Sequence, residues 1–396
     1  MLSVAEATAI VLDRARPLPP MRVPLEVALG CVLAEDVVSD LDMPPFDKAM
    51  MDGFAVRSAD VPGTLAIVEE IAAGRVPTQP LGPGHASRIA TGAAIPTGAD
   101  AVVMIERCEV LDGGRSVRLD DAAAPGQNIQ PRGRELRRDE TVLRGGARLR
   151  PQEIGLLAIV GRDPVCVVPQ PEVAILSTGD ELTPPRDRPA PGRIRNSNGP
   201  MLAAQIARAG GRPRSLGIAR DQFDELRQRI SDGLRSPILV LSGGVSAGHR
   251  DLVPDVLDSL GVEPCFHKVA LKPGKPVFFG VRRGDDFDRL VFGLPGNPVS
   301  AFVAFELFVR PVMATLSGLT AQPPRFEPRR LASDFQFTTD RPTYHPARAT
   351  RDEVQPVEWR GSPDLRALTL GNALVLLPPG THEFHAGDLL PVMTCE

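Results

Sequence analysis

From Val173 onward, the chain alternates between short apolar runs and longer amphipathic stretches. The apolar runs at residues 173–176, 215–218 and 238–241 predict strands. Stretches near 201–209, 223–234 and 252–260 repeat apolar residues with helical spacing, which predicts helices with one buried face. Strands that alternate with such helices form a parallel sheet covered on both faces, and ligands bind where the carboxyl ends of its strands meet.

The segments on either side of this α/β region follow a different pattern. Residues 66–119 contain short aliphatic runs separated by glycine and proline turns, which predicts a small β-rich module. Residues 325–396 contain short strands without helical periodicity, which predicts a small terminal β-barrel. Proline-rich joints lie near 17–20 and 164–171. The predicted fold class is therefore a multidomain α/β protein with a parallel-rich central sheet, an inserted β-rich domain and a C-terminal β-barrel.

Length, charge and cysteine content exclude several classes of protein. A chain of 396 residues suggests about two to four domains. The net charge of -4 argues against nucleic acid as a partner, because nucleic-acid binders carry a basic face. Five scattered cysteines without a CxxC pair indicate neither a zinc site nor a disulfide framework, and they suit a reducing compartment.

The sequence predicts no membrane-targeting segment. The N-terminus lacks the basic leader and apolar run of a signal peptide. The longest apolar stretch, near 299–309, is about eleven residues long and contains Glu306, whereas roughly 20 apolar residues are needed to span a bilayer. We therefore expect a cytoplasmic protein that binds no membrane.

A glycine-rich loop follows the predicted strand at 238–241. Gly243 and Gly244 allow the backbone to approach a ligand closely, and the hydroxyls of Ser242 and Ser246 can surround phosphate oxygens at the start of the next helix. Asp251 stands at the start of that helix. Its position is equally consistent with an N-cap and with a metal ligand or base.

Acidic residues follow two other predicted strands. Asp180 and Glu181 come after the strand at 173–176, and adjacent carboxylates at a phosphate site commonly hold a divalent cation. One of them could instead cap a helix or form a salt bridge. Asp221 also stands between a strand and a helix, where the residue pattern favours capping over metal binding.

Lysine is rare in this chain, and its positions are informative. The 45 basic residues include only four lysines, which are Lys48, Lys268, Lys272 and Lys275. Lysine is a compact point charge that suits a tight anion site, so the cluster at 268–275 predicts an anion-binding loop, with a solvated basic turn as the alternative. Nearby, Pro295 and Pro298 indicate a rigid preformed loop. We interpret the arginine-rich residues 127–150 as a solvated surface rather than as the lining of an anion channel.

Taken together, these loops resemble one protein family over nearly the whole chain. The chain resembles the MoeA and gephyrin E-domain family, the molybdopterin molybdenumtransferases. Eight motifs carry the resemblance in order: PPFDKAMMDGFAVR around Asp52, RIATGAAIPTGADAVVMIE around Thr91, STGDEL at Ser177, RIRNSNGPML at Arg193, RDQFDEL at Asp221, LSGGVSAGHRDLV at Ser242, VALKPGKP at Leu271 and GLPGNPVSAF at Gly293.

The resemblance implies the last step of molybdenum cofactor biosynthesis. In that step molybdate is inserted into adenylylated molybdopterin and AMP is released. The implied organisation is an N-terminal elongated or linker domain at 1–50 plus 136–170, an inserted β-rich domain at 51–135, a MogA-like α/β domain at 171–318 and a C-terminal β-barrel at 319–396. The implied assembly is an elongated homodimer with a shared active cleft, with transient contacts to the molybdopterin adenylyltransferase and to molybdoenzymes.

The resemblance also assigns roles to individual residues. The implied catalytic residues are Asp52, Thr91, Glu181, Asp221 and Asp251. The implied Mg²⁺ ligands are Glu181, Asp221 and Asp251. The implied substrate-binding residues are Ser242, Gly243, Gly244, Ser246, Lys272, Lys275, Pro295 and Pro298.

The sequence departs from the family pattern in a few places. Glu135 replaces the usual aspartate of one N-terminal element, and the C-terminal element at 344–346 lacks its arginine, for which Arg348 is a weak substitute. A proline at Pro363 ends the family's Gly-Ser-Gly turn, so the resemblance leaves the role of the last domain open. Two other functions remain as alternatives: a molybdopterin adenylyltransferase, which shares the Ser242 loop, and a non-catalytic scaffold.

Overall fold

The computed structural model describes residues 1–244, 252–320 and 322–395. By their internal contacts they divide into two compact units. One unit contains residues 1–34 and 166–396, and the other contains residues 35–165. The four-domain division expected from the sequence is finer than this and stays a prediction.

A six-stranded sheet forms the centre of the first unit. In spatial order its strands are Arg212–Ala219, Glu172–Thr178, Ile238–Ser242, Arg289–Leu294, Phe278–Arg282 and Glu263–Phe266. The first four strands run parallel. Phe278–Arg282 is antiparallel to both of its neighbours, so Glu263–Phe266 runs in the direction of the first four, which confirms the predicted parallel-rich sheet. Ser242 is paired with Ser177 on one side and Leu294 on the other. The loops after three neighbouring strands therefore begin at the same edge.

Alternating strand residues pack against opposite faces of this sheet. Val173 and Ile175 join a large core with the helix Asn198–Arg208, whereas Ala174 and Leu176 join a second core with the helices Phe223–Gly233 and Val253–Ser259. The strand residues and the apolar faces of the helices in these cores are fully or almost fully buried. The helical spacing read from the sequence thus corresponds to helices on both faces of the sheet.

The longest helix of the first unit is continuous from Pro298 to Leu316, with a π-helical segment in the middle. Its parts are Pro298–Ala304, Phe305–Val309 and Arg310–Leu316. Its 19 residues are long and apolar enough to cross a bilayer, so the length argument made from the sequence is wrong. The helix is nevertheless 83% buried within the protein, as the core helix of a globular fold is.

Glu306 is a buried charge in the π-helical segment. Its side chain is fully buried and accepts hydrogen bonds from Gln205 (2.7 Å) and Arg208 (2.5 Å). The Arg310 Nε atom lies 3.1 Å from Glu306 Oε2, although that oxygen makes no hydrogen bond with the described residues. Hydrogen bonding and two cations thus offset the cost of burying this carboxylate.

We expect Glu306→Ala to lower the free energy of unfolding by about 3 kcal/mol, because it breaks a buried ion network. The estimate is at the low end for such networks, since both arginine side chains are about a third exposed and can reach water. Urea unfolding measures the change. Glu358→Ala is the matched control, because the side chains of Glu358 and its partner Arg360 are 77% and 81% exposed, and such a surface pair is worth about 0–1 kcal/mol. Equal stability of the two variants would contradict this account.

A closed β-barrel lies at the C-terminal end, as predicted. Around the barrel its strands are Glu327–Leu331, Glu353–Pro356, Thr343–Ala349, Ala373–Leu377 and Leu389–Thr394. The paired strands Phe335–Thr339 and Gly380–Phe384 and the short helix Leu365–Thr369 accompany it. Apolar residues alternate into the barrel interior, among them Leu331, Val354, Val375 and Val392.

The first unit is completed by its N-terminal residues. The helix Val4–Arg14 begins with a capping box in which Ser3 and Glu6 satisfy each other's backbone N–H groups. The remaining elements are the strands Met21–Val23, Val32–Leu33 and Val165–Val168 in one sheet, the 3₁₀ turn Leu25–Val27, and the pair Leu182–Thr183 with Ile194–Arg195.

The second unit is β-rich, as the aliphatic runs predicted. In spatial order its main sheet contains Ala101–Met104, Gly53–Val56, His85–Ile89, Gly63–Ile71, Ser116–Leu119 and Cys108–Leu111. Smaller elements are the strand pairs Lys48–Ala49 with Ile129–Gln130 and Val37–Val38 with Thr141–Leu143, the 3₁₀ turns Ser58–Asp60 and Ile105–Arg107, and the helix Pro151–Ile159. Phe54, Val56, Val103 and Val117 form its core.

Candidate functional site

A cavity of about 1020 Å³ lies at the carboxyl edge of the central sheet. Its walls come from the loops after the four parallel strands, from the lysine loop and from the C-terminal barrel. Pockets of roughly 300–1,000 Å³ hold ligands of drug size, so this one can accept a large substrate. Many of the residues predicted from sequence line it: Glu181, Asp221, Ser242, Gly243, Gly244, Lys272, Lys275, Pro295 and Pro298.

Asn198 connects two of the cavity loops. Its side-chain amide donates to Ser242 Oγ at 2.7 Å and to the carbonyl of Gly296, also at 2.7 Å. Both amide hydrogens are thereby used, and the Oδ1 atom is buried without a hydrogen-bond partner among the residues that the structure describes. The sequence analysis gave Asn198 no role, although it lies inside the quoted RIRNSNGPML motif.

The glycine loop needs glycine at two successive positions. Gly243 and Gly244 have φ values of +90° and +63°, which side-chain-bearing residues rarely adopt. A Cβ atom would lie 2.5 Å from the Thr178 carbonyl oxygen at the first position and 2.6 Å from Thr178 Oγ1 at the second. The two residues predicted further along this loop, Ser246 and Asp251, lie outside the residues that the structure describes.

The barrel holds the lysine loop in place. Lys272 donates its backbone N–H to the Pro342 carbonyl at 3.0 Å, and its carbonyl accepts from the Tyr344 N–H at 2.8 Å. Its ammonium group lies 3.7 Å from Asp340. Lys272 and Lys275 both line the cavity, whereas Lys268 is exposed outside it. The cluster therefore separates into two cavity lysines and one surface lysine.

Two carboxylates enter the cavity from neighbouring strand ends. Glu181 follows the strand Glu172–Thr178 and Asp221 follows Arg212–Ala219, and these strands are adjacent. Partial burial raises the pKa of Asp221, and the negative charges of Asp180 and Glu181 raise it further. The helix that follows has Gln222 at its N-cap, so the interpretation of Asp221 as the helix cap is wrong.

The donor set of this corner fits a hard divalent cation. Glu181 and Asp221 offer only oxygen atoms, and Mg²⁺ is commonly held by one or two carboxylates together with water and substrate phosphates. Within residues 1–244, 252–320 and 322–395, no group of three or more acidic, histidine or cysteine side chains is placed to bind a metal ion. The third predicted ligand, Asp251, belongs to the part of the chain left undescribed.

The barrel contributes more to the cavity than the sequence indicated. Phe337, Arg341, Trp359 and Ser362 all line it, and Asn297 donates its side-chain amide to Ser362 Oγ at 2.9 Å. Arg341 is joined to Asp340 at 3.0 Å. The proposed substitute Arg348 is exposed and does not line this cavity, so that suggestion is not supported.

Asp52 and Thr91 meet within the second unit. Asp52 precedes the strand Gly53–Val56, and Thr91 follows the neighbouring strand His85–Ile89. The Asp52 carboxylate accepts from the Thr91 backbone N–H at 2.7 Å and from its hydroxyl at 3.0 Å. These two hydrogen bonds lower the pKa of Asp52. The two motifs therefore form one local site, which holds a carboxylate in its ionised form.

The other notable side chains of the second unit have partners of their own. Lys48 lies 3.6 Å from Glu135, which also accepts a hydrogen bond from Gln130 at 2.7 Å. Within the arginine-rich stretch, Arg132 pairs with Asp42 at 2.6 Å while its side chain remains 63% exposed. That contact agrees with the interpretation of this stretch as a solvated surface.

Comparison with known proteins gives matches along almost the whole chain. Residues 2–161 match the MoeA N-terminal region (domain I and II), residues 174–315 match a probable molybdopterin binding domain, and residues 328–395 match the MoeA C-terminal region (domain IV). A molybdopterin molybdenumtransferase of Staphylococcus aureus (strain Mu50 / ATCC 700699) is 34% identical, with 100% of this chain and 96% of that protein aligned.

A second relative and two solved structures agree with this result. The molybdopterin molybdenumtransferase of Bacillus subtilis (strain 168) is 36% identical over 94% of this chain and 89% of its own length. One structure of a molybdopterin biosynthesis MoeA protein from Pyrococcus horikoshii superposes with a TM-score of 0.81 at 31% identity, covering 100% of this chain and 99% of that one. Another from the same organism has a TM-score of 0.73 at 29% identity and covers both chains fully.

Proposed function

The chain belongs to the MoeA family, and from that premise we propose that it is a molybdopterin molybdenumtransferase. The proposed reaction inserts molybdate into adenylylated molybdopterin and releases AMP. One observation supports it most strongly: a single large cavity combines a glycine loop, two lysines and two carboxylates. Both proposed substrates are anions, and one of them carries the phosphate ester that leaves.

The chemistry of the cavity walls suits the binding of this substrate pair. Gly243 donates its backbone N–H to the Leu294 carbonyl at 3.1 Å, so the backbone N–H that we propose for binding phosphate oxygen is that of Gly244. Lys272 and Lys275 supply positive charge where anionic oxygens would lie, and such preorganised charge stabilises a leaving phosphate. Asn198 fixes the glycine loop relative to the Pro295–Pro298 turn, so the groups that bind phosphate are held in place before the substrate arrives.

We further propose that the carboxylate corner holds Mg²⁺ through Glu181 and Asp221, with Asp251 as a third ligand. The oxygen-only donor set and the mutual repulsion evident at Asp221 support this assignment. When bound there, the cation would neutralise charge on the phosphate groups of the substrate. Glu181 and Asp221 would hold the cation at the carboxyl edge of the sheet, in the same cavity as the glycine loop.

We expect Mg²⁺ to raise the thermal unfolding midpoint of the protein, because a cation relieves the repulsion among Asp180, Glu181 and Asp221. Asp221→Asn should unfold at the wild-type temperature or slightly above without Mg²⁺, since it removes one of the repelling charges. The Mg²⁺-dependent increase should largely disappear in this variant. Differential scanning calorimetry with and without Mg²⁺ measures both effects.

Asp224→Asn is the matched control for this measurement. Asp224 is an exposed acid in the first turn of the helix Phe223–Gly233, and it does not line the cavity. This variant should keep the full Mg²⁺ response. A response that is unchanged in Asp221→Asn would remove Asp221 from the proposed metal site.

One assay separates the proposed function from its two alternatives. The protein is incubated with adenylylated molybdopterin, Mg²⁺ and molybdate, and in parallel with molybdopterin and ATP. AMP release that molybdate stimulates supports the transferase. Consumption of ATP with free molybdopterin supports an adenylyltransferase, and no reaction in either mixture supports a scaffold.

We also propose a cytoplasmic homodimer that receives its substrate from the adenylyltransferase and delivers product to molybdoenzymes. The resemblance to the family supports the dimer, and the five free cysteines are compatible with a reducing compartment. The Asp52–Thr91 pair is proposed to take part in the reaction of this assembly. Sedimentation of the purified protein as a monomer would contradict the dimer.

A further inference from the structure

Two aromatic rings form part of the barrel side of the cavity. Phe337 lies on the strand Phe335–Thr339, and Trp359 follows the strand Glu353–Pro356. Both side chains line the cavity and are half-buried, so each leaves some ring surface available to a ligand. Trp359 is the only tryptophan in the chain. We call this pair the aromatic wall.

The aromatic wall is held in place by a buried histidine. The ring of His345 packs edge-on against Phe337 with 5.3 Å between centroids and against Trp359 with 5.1 Å, at interplanar angles of 90° and 82°. Burial lowers the pKa of His345, which favours the neutral ring. The indole Nε1 has no hydrogen-bond partner in the described part of the chain, so packing alone orients Trp359.

A third ring extends this cluster away from the cavity. Phe335 stacks on Phe337 with 5.8 Å between centroids and packs edge-on against His345 at 5.5 Å. Phe335 does not line the cavity. The cluster therefore has an inner layer, Phe335 and His345, and an outer layer, Phe337 and Trp359, that borders the ligand space.

We infer that the aromatic wall binds a planar nitrogen heterocycle of the substrate by stacking or edge contact. The inference rests on the proposed function, in which the substrate carries two such rings, an adenine and a pterin. Aromatic surface next to positive charge suits a ligand that joins a flat ring to phosphate: Lys272 and Arg341 line the same cavity as Phe337 and Trp359.

The cavity is large enough to hold both a phosphate group and a heterocyclic ring. Phosphate and a metal ion would occupy only a fraction of about 1020 Å³, so the remaining space can hold at least one heterocycle. A purely structural role would be fulfilled by a buried ring such as His345, or by a half-buried ring outside the cavity such as Phe335. Phe337 and Trp359 instead border the cavity, where a flat ring can stack on them.

Calorimetric titration tests the inference with ligands that differ only by the ring. AMP is compared with ribose 5-phosphate, and neopterin phosphate is compared with glycerol phosphate. In Trp359→Ala the dissociation constant of a ring-bearing ligand should rise about tenfold. The dissociation constant of its ring-free analogue should change less than about twofold, because its phosphate contacts are retained. An effect on AMP alone assigns the aromatic wall to adenine, and an effect on neopterin phosphate alone assigns it to the pterin.

Two variants control for the integrity of the barrel. Phe335→Ala perturbs the same cluster from its inner side and should leave all four dissociation constants unchanged. Trp359→Phe keeps an aromatic ring and should recover most of the affinity lost in Trp359→Ala. In wild-type protein and in Phe337→Ala, the emission of the single tryptophan reports ligand contact directly, with excitation where AMP does not absorb.

The inference is overturned if neither Trp359→Ala nor Phe337→Ala weakens the binding of any ring-bearing ligand. Its failure is separable from failure of the proposed function. Molybdate-stimulated AMP release without a ring effect would refute only the aromatic wall. A ring effect in a protein that releases no AMP would refute only the proposed reaction.

Discussion

Replacing Glu181 by glutamine is expected to lower the rate of AMP release by at least about a hundredfold while the protein stays folded. The substitution preserves the shape of the side chain and removes one of the two carboxylates that face the cavity from adjacent strand ends. Loss of the proposed metal ligand would remove several kcal/mol of charge stabilisation, and about 1.4 kcal/mol corresponds to a factor of ten in rate. Single-turnover AMP release at saturating Mg²⁺ measures the effect.

Asp180→Asn is the appropriate control for Glu181→Gln. Asp180 is the neighbouring carboxylate and lies near the backbone N–H of Asp221, at 3.4 Å, but it does not line the cavity. Its substitution should reduce AMP release by less than about tenfold. If Glu181→Gln turned over at the wild-type rate, Glu181 would have no part in the reaction.

Replacing both cavity lysines by alanine is expected to lower kcat/KM by at least about a hundredfold. Lys272 and Lys275 are the ammonium groups that line the cavity, and a hydrogen bond to a charged group contributes about 1.5–3 kcal/mol. The loss should appear for both anionic substrates and should lessen the dependence of kcat/KM on salt concentration. Steady-state kinetics over a range of ionic strength, with each substrate varied in turn, measures it.

Lys268→Ala is the internal control for the lysine loop. Lys268 belongs to the same short segment but is exposed outside the cavity. It should retain nearly wild-type kinetics and salt dependence. An equal loss in Lys268→Ala would mean that general surface charge, rather than the cavity, attracts the substrates.

The fold was predictable where local patterns and packing agree. The run at 238–241 is apolar on every residue because both faces of the strand Ile238–Ser242 are covered, and the helix near 223–234 shows one apolar stripe because one side faces solvent. The length of the helix containing Glu306 was underestimated because its local sequence pattern does not match its packing. Its apolar run ends before Arg310 and Pro311, although the helix continues to Leu316, and only the folded core supplies Gln205 and Arg208 as partners of Glu306.

The candidate site was partly predictable for a related reason. Glycine loops, paired acids and clustered lysines carry local signals, and the order of strands in a parallel sheet brings them to one edge. Asn198 and Ser362 carry no such signal, because their roles depend on contacts with residues 44 and 65 positions away. Arg341 and Trp359 line the cavity because the barrel packs beside the lysine loop, a contact that the local sequence does not reveal.

The C-terminal barrel therefore lines the cavity even though its sequence differs from the family pattern. The element at 344–346 lacks the family arginine, yet Tyr344 fixes the backbone of Lys272 and His345 supports the aromatic wall. Arg341 provides positive charge in the same cavity. The altered turn still directs Ser362 to Asn297.

The most direct test of the central claim is the ratio of pterin-bound molybdenum formed to AMP released in a single turnover of adenylylated molybdopterin. We predict that the two amounts are equal, that AMP release slows strongly when molybdate is omitted, and that both products are lost together in Glu181→Gln. AMP release at an unchanged rate without molybdate, with no molybdenum in the pterin product, would contradict the assignment of this cavity as a site of molybdenum transfer.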